Sequence, residues 1–212
     1  MLHKETVEKE TYELLTALMQ DEQLKGFNLA GGTALALHIG HRLSIDLDLF
    51  TVDSFNASKL EEYLTRKYNF VSDFIERNTL KGRIKDVKVD CITYDYPLIN
   101  EIVKEDSVRL YSMQDIAAMK LSVITDNGTR LKDFIDIAYL STKFSLSDMI
   151  EAYKIKYPSS NYISPLKSLS YYDDINFNEP IQMLKGTYEW SKIDKRIESM
   201  LITPDKTFVE LP

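Results

Sequence analysis

Two aspartates one residue apart, Asp46 and Asp48, stand in the run Leu43-Ser44-Ile45-Asp46-Leu47-Asp48-Leu49-Phe50, whose alternation is that of a β-strand. A period of two puts Ile45, Leu47 and Leu49 on one face, and Ser44, Asp46, Asp48 and Phe50 on the other. Two neighbouring carboxylates repel each other, and if even partly desolvated they cost free energy until a cation or proton compensates. Hard oxygen ligands at this spacing suit Mg²⁺, which takes one or two carboxylates together with waters and substrate phosphates. The solvated face of an edge strand would show the same spacing, so the neighbours of the pair decide its meaning.

Immediately upstream, Phe27-Asn28-Leu29-Ala30 reads as a short strand, Gly31-Gly32 as a tight turn and Thr33 as the cap of a helix through Ile39, ended by Gly40. Glycines let the backbone close on a phosphate, and the free amides at the start of a helix attract one. Gly31, Gly32 and Thr33 thus form a candidate phosphate cradle directly before a candidate metal strand. A third acid, Asp90, shares a strand face with Asp86, Lys88 and Ile92 in Asp86-Val87-Lys88-Val89-Asp90-Cys91-Ile92-Thr93-Tyr94. It would join the first two if the strands are neighbours, giving three carboxylates able to hold two Mg²⁺ ions for in-line phosphoryl chemistry. Otherwise it is a solvent-facing residue.

The second half carries charge where packing residues belong. In the helix expected over 113–125, Met113, Ile116, Ala117, Leu121 and Ile124 form one stripe with Lys120 in its middle. Either the lysine stem snorkels to water or its ammonium reaches an anionic group such as a triphosphate. In the next helix Asp133 and Asp136 share a face with Ile137 and Leu140, while Leu131, Phe134, Ile135 and Ala138 cover the opposite side. A helix apolar on both sides is buried, so its acids need partners; Lys120, Arg130 and Lys132 are the candidates. Arg42 either orients a phosphate or pairs with an acid. Lys81, Arg83, Lys85 and Lys88 make a basic run that is either a solvated face or a local patch for an RNA backbone. The aromatic tail, from Tyr162 to Trp190, reads as core rather than as a stacking platform.

Positioning these residues requires a folded chain, and the composition supplies one. Over 212 residues the sequence is 44% hydrophobic with only 7 glycines and 6 prolines, which excludes disorder as the main state. The charged N-terminus, Met1 to Glu10, lacks the apolar run of a secretory signal, and no segment has membrane-spanning length, so a cytoplasmic protein without a membrane partner is expected. One cysteine, Cys91, and three scattered histidines exclude disulfides and cysteine- or histidine-rich metal sites, leaving any metal to carboxylates. The net charge of −7 excludes a protein that grips nucleic acid over its whole surface. Periodicity predicts helices over 4–20 and 56–67, strands over 68–77, 79–85 and 86–94, then helices over 113–125, 130–142, 146–156, 162–169 and 191–201. The fold class is therefore α+β: a mixed sheet with flanking helices in 1–105, followed by a helical C-terminal region in 106–212.

These residues together resemble a known family. The run Leu29 to Phe50 is similar to the signature of the AbiEii/AbiGii group of nucleotidyltransferase-like toxins, within the DNA polymerase β-like superfamily. Asp115 to Lys120, followed by Arg130 to Asp136, is similar to the second block of that family, and Tyr171 to Trp190 to its C-terminal region. The resemblance implies that Asp46 and Asp48 are the metal-binding acids, that Gly32-Thr33 stands for the Gly-Ser of the phosphate turn, that Lys120 contacts nucleotide phosphates, and that Asp133 is the acid of the later motif. Asp136 and Asp90 correspond less directly. It implies transfer of NMP from an NTP to an acceptor hydroxyl, with tRNA ends among the acceptors, Mg²⁺ as cofactor and pyrophosphate released. It also implies a toxin of a type IV-like toxin–antitoxin or abortive-infection pair with a winged-helix antitoxin. The alternatives are an inactive nucleotide- or antitoxin-binding module of the same fold, and a transferase acting on a small molecule such as an antibiotic.

Overall fold

A computed structural model describes all 212 residues, which divide into two compact units. The first comprises Met1–Ile39, Ser44–Tyr96 and Glu101–Tyr111; the second comprises Gly40–Leu43, Pro97–Asn100 and Ser112–Pro212. The units are therefore not contiguous in sequence: two four-residue segments from the first half of the chain belong to the second unit.

The first unit is built on a seven-stranded mixed sheet. Its strands are β1 (Asn28–Ala30), β2 (Leu47–Thr51), β3 (Phe70–Glu76), β4 (Thr79–Ile84), β5 (Val87–Thr93), β6 (Val103–Glu105) and β7 (Val108–Leu110), in the order β3-β4-β5-β2-β1-β7-β6. The β2–β5 and β1–β7 pairs are parallel and the others antiparallel. Leu29, Leu47, Leu49, Leu80, Val89, Cys91 and Leu110 are all essentially inaccessible, so the strands at the centre of the sheet carry its core.

Helices α1 (Lys9–Met19), α2 (Gly31–Ile39) and α3 (Ala57–Tyr68) complete this unit. The helix expected over 4–20 begins only at Lys9, because the backbone before it is engaged elsewhere. The His3 amide donates to the Leu37 carbonyl and the Ser44 amide to the Thr6 carbonyl, and Val7 is extended. The α3 helix has the signals its sequence carries: the Asn56 side chain accepts from the Lys59 amide at the start, and Asn69 takes the left-handed conformation at the end.

Five helices form the second unit: α4 (Met113–Asp126), α5 (Leu131–Leu140), α6 (Leu146–Lys156), α7 (Ile163–Ser168) and α8 (Trp190–Ile202). Ser112 caps α4 by accepting from the Asp115 amide, and Ser145 with Asp148 forms a reciprocal capping box on α6. Asp115 is fully buried and accepts from the Ile99 and Asn100 amides, the Ser112 hydroxyl and Lys156 Nζ at 2.8 Å. Lys156 also donates to the Pro97 carbonyl. This buried pair fastens α6 and the segment 97–100 to the start of α4. The aromatic tail expected as core is only partly so: Phe134 touches Tyr172 and Trp190, which are half-buried, with Phe177 against Trp190, whereas Tyr162, Tyr171 and Phe177 are themselves about half exposed. No helix is long and apolar enough to cross a membrane.

Candidate active site

Sheet register brings the acids together in the first unit. Asp48 on β2 is the Cα partner of Asp90 on the parallel strand β5, and residues paired this way on adjacent strands point to the same face. Ala30 on β1 faces Asp48, and Lys81 on β4 faces Asp90. One row across the sheet therefore reads Lys81, Asp90, Asp48, Ala30. Burial follows the same alternation in β2: Leu47, Leu49 and Thr51 are buried, while Asp48 and Phe50 are half-buried.

The strand carrying the pair is shorter at its start than the sequence suggests. β2 begins at Leu47, leaving Asp46 half-buried just ahead of it and Ile45 exposed, so Ile45 does not share the core face of Leu47 and Leu49. The reason lies in Thr33. The α2 helix starts at Gly31, which makes Thr33 an interior residue rather than a cap. Its buried hydroxyl donates to the Asp46 carbonyl, with the Ser44 hydroxyl 2.9 Å away. That bond uses backbone that a longer strand would commit to the sheet, and it ties the glycine turn to the acidic segment.

Gly31 is required twice over. Its φ of +67° lies in the left-handed region, and a Cβ there would collide with the Asp48 carboxylate. The backbone that opens α2 therefore runs directly against Asp48, placing a carboxylate at the positive end of a helix. Gly31→Ala is expected to cost about 1–3 kcal/mol of stability and to displace the Asp48 side chain; chemical denaturation measures the first. A midpoint equal to that of the unsubstituted chain would show that the turn tolerates the methyl group.

Asp90 is nearly inaccessible, at 3% exposure. Its Oδ2 lies 3.1 Å from Lys88 Nζ, whereas its Oδ1 is buried without a hydrogen-bond partner. Burial pulls the Lys88 pKa down, but the hydrogen bond to Asp90 and the charges of Asp90, Asp48 and Asp46 outweigh it and hold it above the ordinary lysine value. The ammonium thus experiences all three acids. The sequence already placed Lys88 and Asp90 on one strand face; what it did not show is that Lys88 acts as the counter-charge of the group.

An unpartnered buried carboxylate oxygen and a glycine turn with no room for a Cβ are the features expected where a hard cation and a phosphate are accommodated. No three of the His, Cys, Asp and Glu side chains are gathered as a ready ligand set. The register-matched pair Asp48 and Asp90 supplies two carboxylates, a number that suits Mg²⁺ when waters and phosphates complete the shell.

The second unit holds a separate buried charge cluster. Lys120 Nζ lies 2.5 Å from Asp133 Oδ1 and 2.6 Å from Asp136 Oδ2. Arg42 grips Asp136 with two nitrogens, Nε to Oδ1 at 2.7 Å and Nη2 to Oδ2 at 2.9 Å, and His41 Nε2 lies 2.8 Å from Oδ1. Each of these five side chains is 6% exposed or less. Lys120 therefore does not snorkel to water. Of the other candidate partners, Arg130 lies 3.7 Å from Asp133, and Lys132 pairs with Glu179 instead.

Burial would raise the Asp136 pKa, yet the charges of Arg42 and Lys120 and the His41 and Arg42 hydrogen bonds hold it well below the carboxylate range. Burial lowers the pKa of His41 despite Asp136 beside it, so His41 is neutral near pH 7 and two carboxylates balance two cations. Two atoms in the cluster lack hydrogen-bond partners, His41 Nδ1 and Asp133 Oδ2.

Comparison with known proteins adds the family. The model of the AbiEii nucleotidyl transferase toxins of type IV toxin–antitoxin systems matches residues 13–100 and 84–208. The chain belongs to the AbiEii family. It is 32% identical over 178 residues to an uncharacterized protein of Aquifex aeolicus, covering 79% of this chain and 84% of that one. Among solved structures it resembles the nucleotidyltransferase toxin MenT4 of Mycobacterium tuberculosis, with a TM-score of 0.60, 13% identity, and coverage of 89% of this chain and 79% of the other. It also resembles JHP933 of Helicobacter pylori, with a TM-score of 0.54, 17% identity, and coverage of 94% and 93%. At these identities the structural likeness establishes the α+β nucleotidyltransferase-like fold. Membership of the family makes this AbiEii chain a nucleotidyltransferase-type toxin.

Proposed function

We propose that this AbiEii protein transfers NMP from an NTP to an acceptor hydroxyl, using the acidic face of its mixed sheet. The observation carrying the proposal is the Asp48–Asp90 register pair, with its unpartnered Asp90 oxygen, beside a glycine turn that leaves no space for a Cβ. Asp48 and Asp90 would hold a Mg²⁺ ion, with Asp46, just ahead of β2, as a further carboxylate that could join them for a second. A bound divalent cation supplies charge neutralisation for the reacting phosphoryl oxygens. The chain's own residues do the rest. Gly31 and Gly32 bring the start of α2 close to the triphosphate, where backbone amides and the helix dipole favour negative charge. Thr33 fixes the turn to the Asp46 backbone.

Within the second unit, Lys120 and Asp133 belong to the segment that resembles the family's second block: an ammonium held in one orientation by two carboxylates, and a carboxylate with one oxygen still able to accept. Arg42, committed to Asp136 by two hydrogen bonds, would orient Asp136 and, through it, Lys120.

For the acceptor, the supporting observation is a local group of basic residues. Lys81, Arg83 and Lys88 share one face of β4 and β5 with Asp90, Arg83 pairing with Asp73 and Lys88 with Asp90, so the support they give a phosphate backbone is local, beside the acids. A tRNA end is therefore the proposed acceptor, a winged-helix antitoxin the proposed partner, and the cytoplasm the proposed setting. Incubating the protein with each labelled NTP, Mg²⁺ and either total tRNA, protein or an aminoglycoside tests the reading. Label on tRNA with release of pyrophosphate is expected. Label on the aminoglycoside alone would move the acceptor to small molecules, and nucleotide binding without turnover on any acceptor would leave a binding module.

A further inference from the structure

The acidic face already has a cation, and it belongs to the chain. Lys88 and Asp90 lie two residues apart on β5, so both project to the face on which Asp48 stands in register with Asp90. Lys88 Nζ is 3.1 Å from Asp90 Oδ2; the lysine side chain is 54% exposed and that of Asp90 only 5%. The carboxylate is thus fixed in the sheet, whereas the ammonium sits on a flexible stem reaching in from solvent. An ammonium and a hydrated divalent ion are alternative answers to the same negative field, and one held by an exposed stem can leave without disturbing the sheet.

We propose that Lys88 is a resident counter-cation which holds the acidic face together when no divalent ion is bound and competes with the ion for it, thereby setting the affinity of the face for Mg²⁺. This rests on the metal-binding part of the transfer reading. The unpartnered Asp90 Oδ1 is what gives the competition its direction: Lys88 satisfies one oxygen of that carboxylate, and a divalent ion has a second to recruit. Once displaced, Lys88 remains beside the acids as a positive charge able to meet a phosphate. It acts on the reaction as a positioning residue.

The test uses the full chain, with Mn²⁺ as the probe ion. Mn²⁺ affinity by calorimetry and thermal unfolding in EDTA are measured for the unsubstituted protein, Lys88→Met, Lys88→Arg, Asp90→Asn and the double variant combining Lys88→Met with Asp90→Asn. Lys88→Met is expected to bind Mn²⁺ roughly three- to tenfold more tightly, the range set by the modest strength of a partly exposed ion pair. Its Tm in EDTA should fall by about 2–4 °C, and saturating Mn²⁺ should close that gap. Lys88→Arg keeps the charge and should keep both values near those of the unsubstituted chain. Once Asp90→Asn has removed the carboxylate charge, adding Lys88→Met should no longer change the Tm in EDTA. Equal or weaker Mn²⁺ binding by Lys88→Met would overturn the proposal while leaving nucleotidyl transfer standing. Absence of Mn²⁺ binding in every form would overturn the proposal together with the metal-binding part of the transfer reading.

Discussion

Asp48→Asn is expected to lower nucleotidyl transfer by roughly a thousandfold or more while leaving the fold intact. The substitution preserves shape and removes one negative charge from the centre of the row Lys81, Asp90, Asp48, Ala30. Of the three acids, Asp48 has both a neighbouring carboxylate in register and the start of α2 against it, so its loss affects cation binding and phosphate placement together. Three orders of magnitude correspond to about 4 kcal/mol of transition-state stabilisation, within the several kcal/mol that a correctly held divalent ion contributes. Initial rates of labelled NMP incorporation measure the loss, and circular dichroism with thermal unfolding verifies the fold. Because Asp48 is half-buried on a sheet whose core lies on the Leu47 and Leu49 side, the change in stability should be small. Transfer at an undiminished rate would remove the acidic face from the chemistry altogether.

The comparison between Asp48 and Asp46 shows how far sequence reasoning reaches. Alternation alone places Asp48 on the polar face of a strand, and the strand does run through Leu47, Asp48 and Leu49. The same alternation extends the strand back to Leu43, which fails because the hydroxyl of Thr33, 13 positions earlier in the chain, takes the Asp46 carbonyl. A side chain reaching into another segment's backbone leaves no periodic trace. The neighbourhood of Asp48 and Asp90 was legible only as a possibility, since periodicity gives faces and says nothing of which strands are adjacent or in what register.

The β6–β7 hairpin is a different case. Its strands are three residues each, too short for alternation to stand out, yet the turn is written in Asp106 and Ser107, both with positive φ, as a two-residue hairpin connection demands. An acid followed by a small polar residue between Val103 and Val108 was the available signal. In the helical half, the sequence showed Lys120, Asp133 and Asp136 as charges in apolar surroundings and offered Lys120 as one of three candidate partners for the acids. Arg42 reads as orienting a phosphate or pairing with an acid, but neither it nor His41 could be assigned to Asp136, 94 and 95 positions away, because a long-range ion pair has no local signature.

That cluster carries the largest expected effect on stability. Asp136→Ala is expected to cost about 3–5 kcal/mol, the usual consequence of breaking a buried ion pair by removing one partner. The loss falls at the upper end because Asp136 is shared: Arg42, Lys120 and His41 all converge on it, and only Asp133 would remain to balance two buried cations. Against a total of roughly 5–15 kcal/mol for a typical domain, much of the folded population is at risk. Denaturant unfolding monitored by circular dichroism measures the loss; a change below about 1 kcal/mol would mean that solvent reaches the cluster. Acidification should expose the same cluster in two stages. His41, held below its ordinary pKa by burial, is neutral in the fold but takes a proton in the unfolded chain near pH 6.5, so stability declines as pH falls below that value. His38, half-buried and shifted down by desolvation, adds to this stage. Asp136, held well below the carboxylate range, contributes stability that is complete above about pH 4 and is lost as pH falls further. His41→Asn should therefore flatten part of the decline between about pH 7 and 5 and leave the steeper acid limb in place, because that limb belongs to the carboxylate and not to the ring.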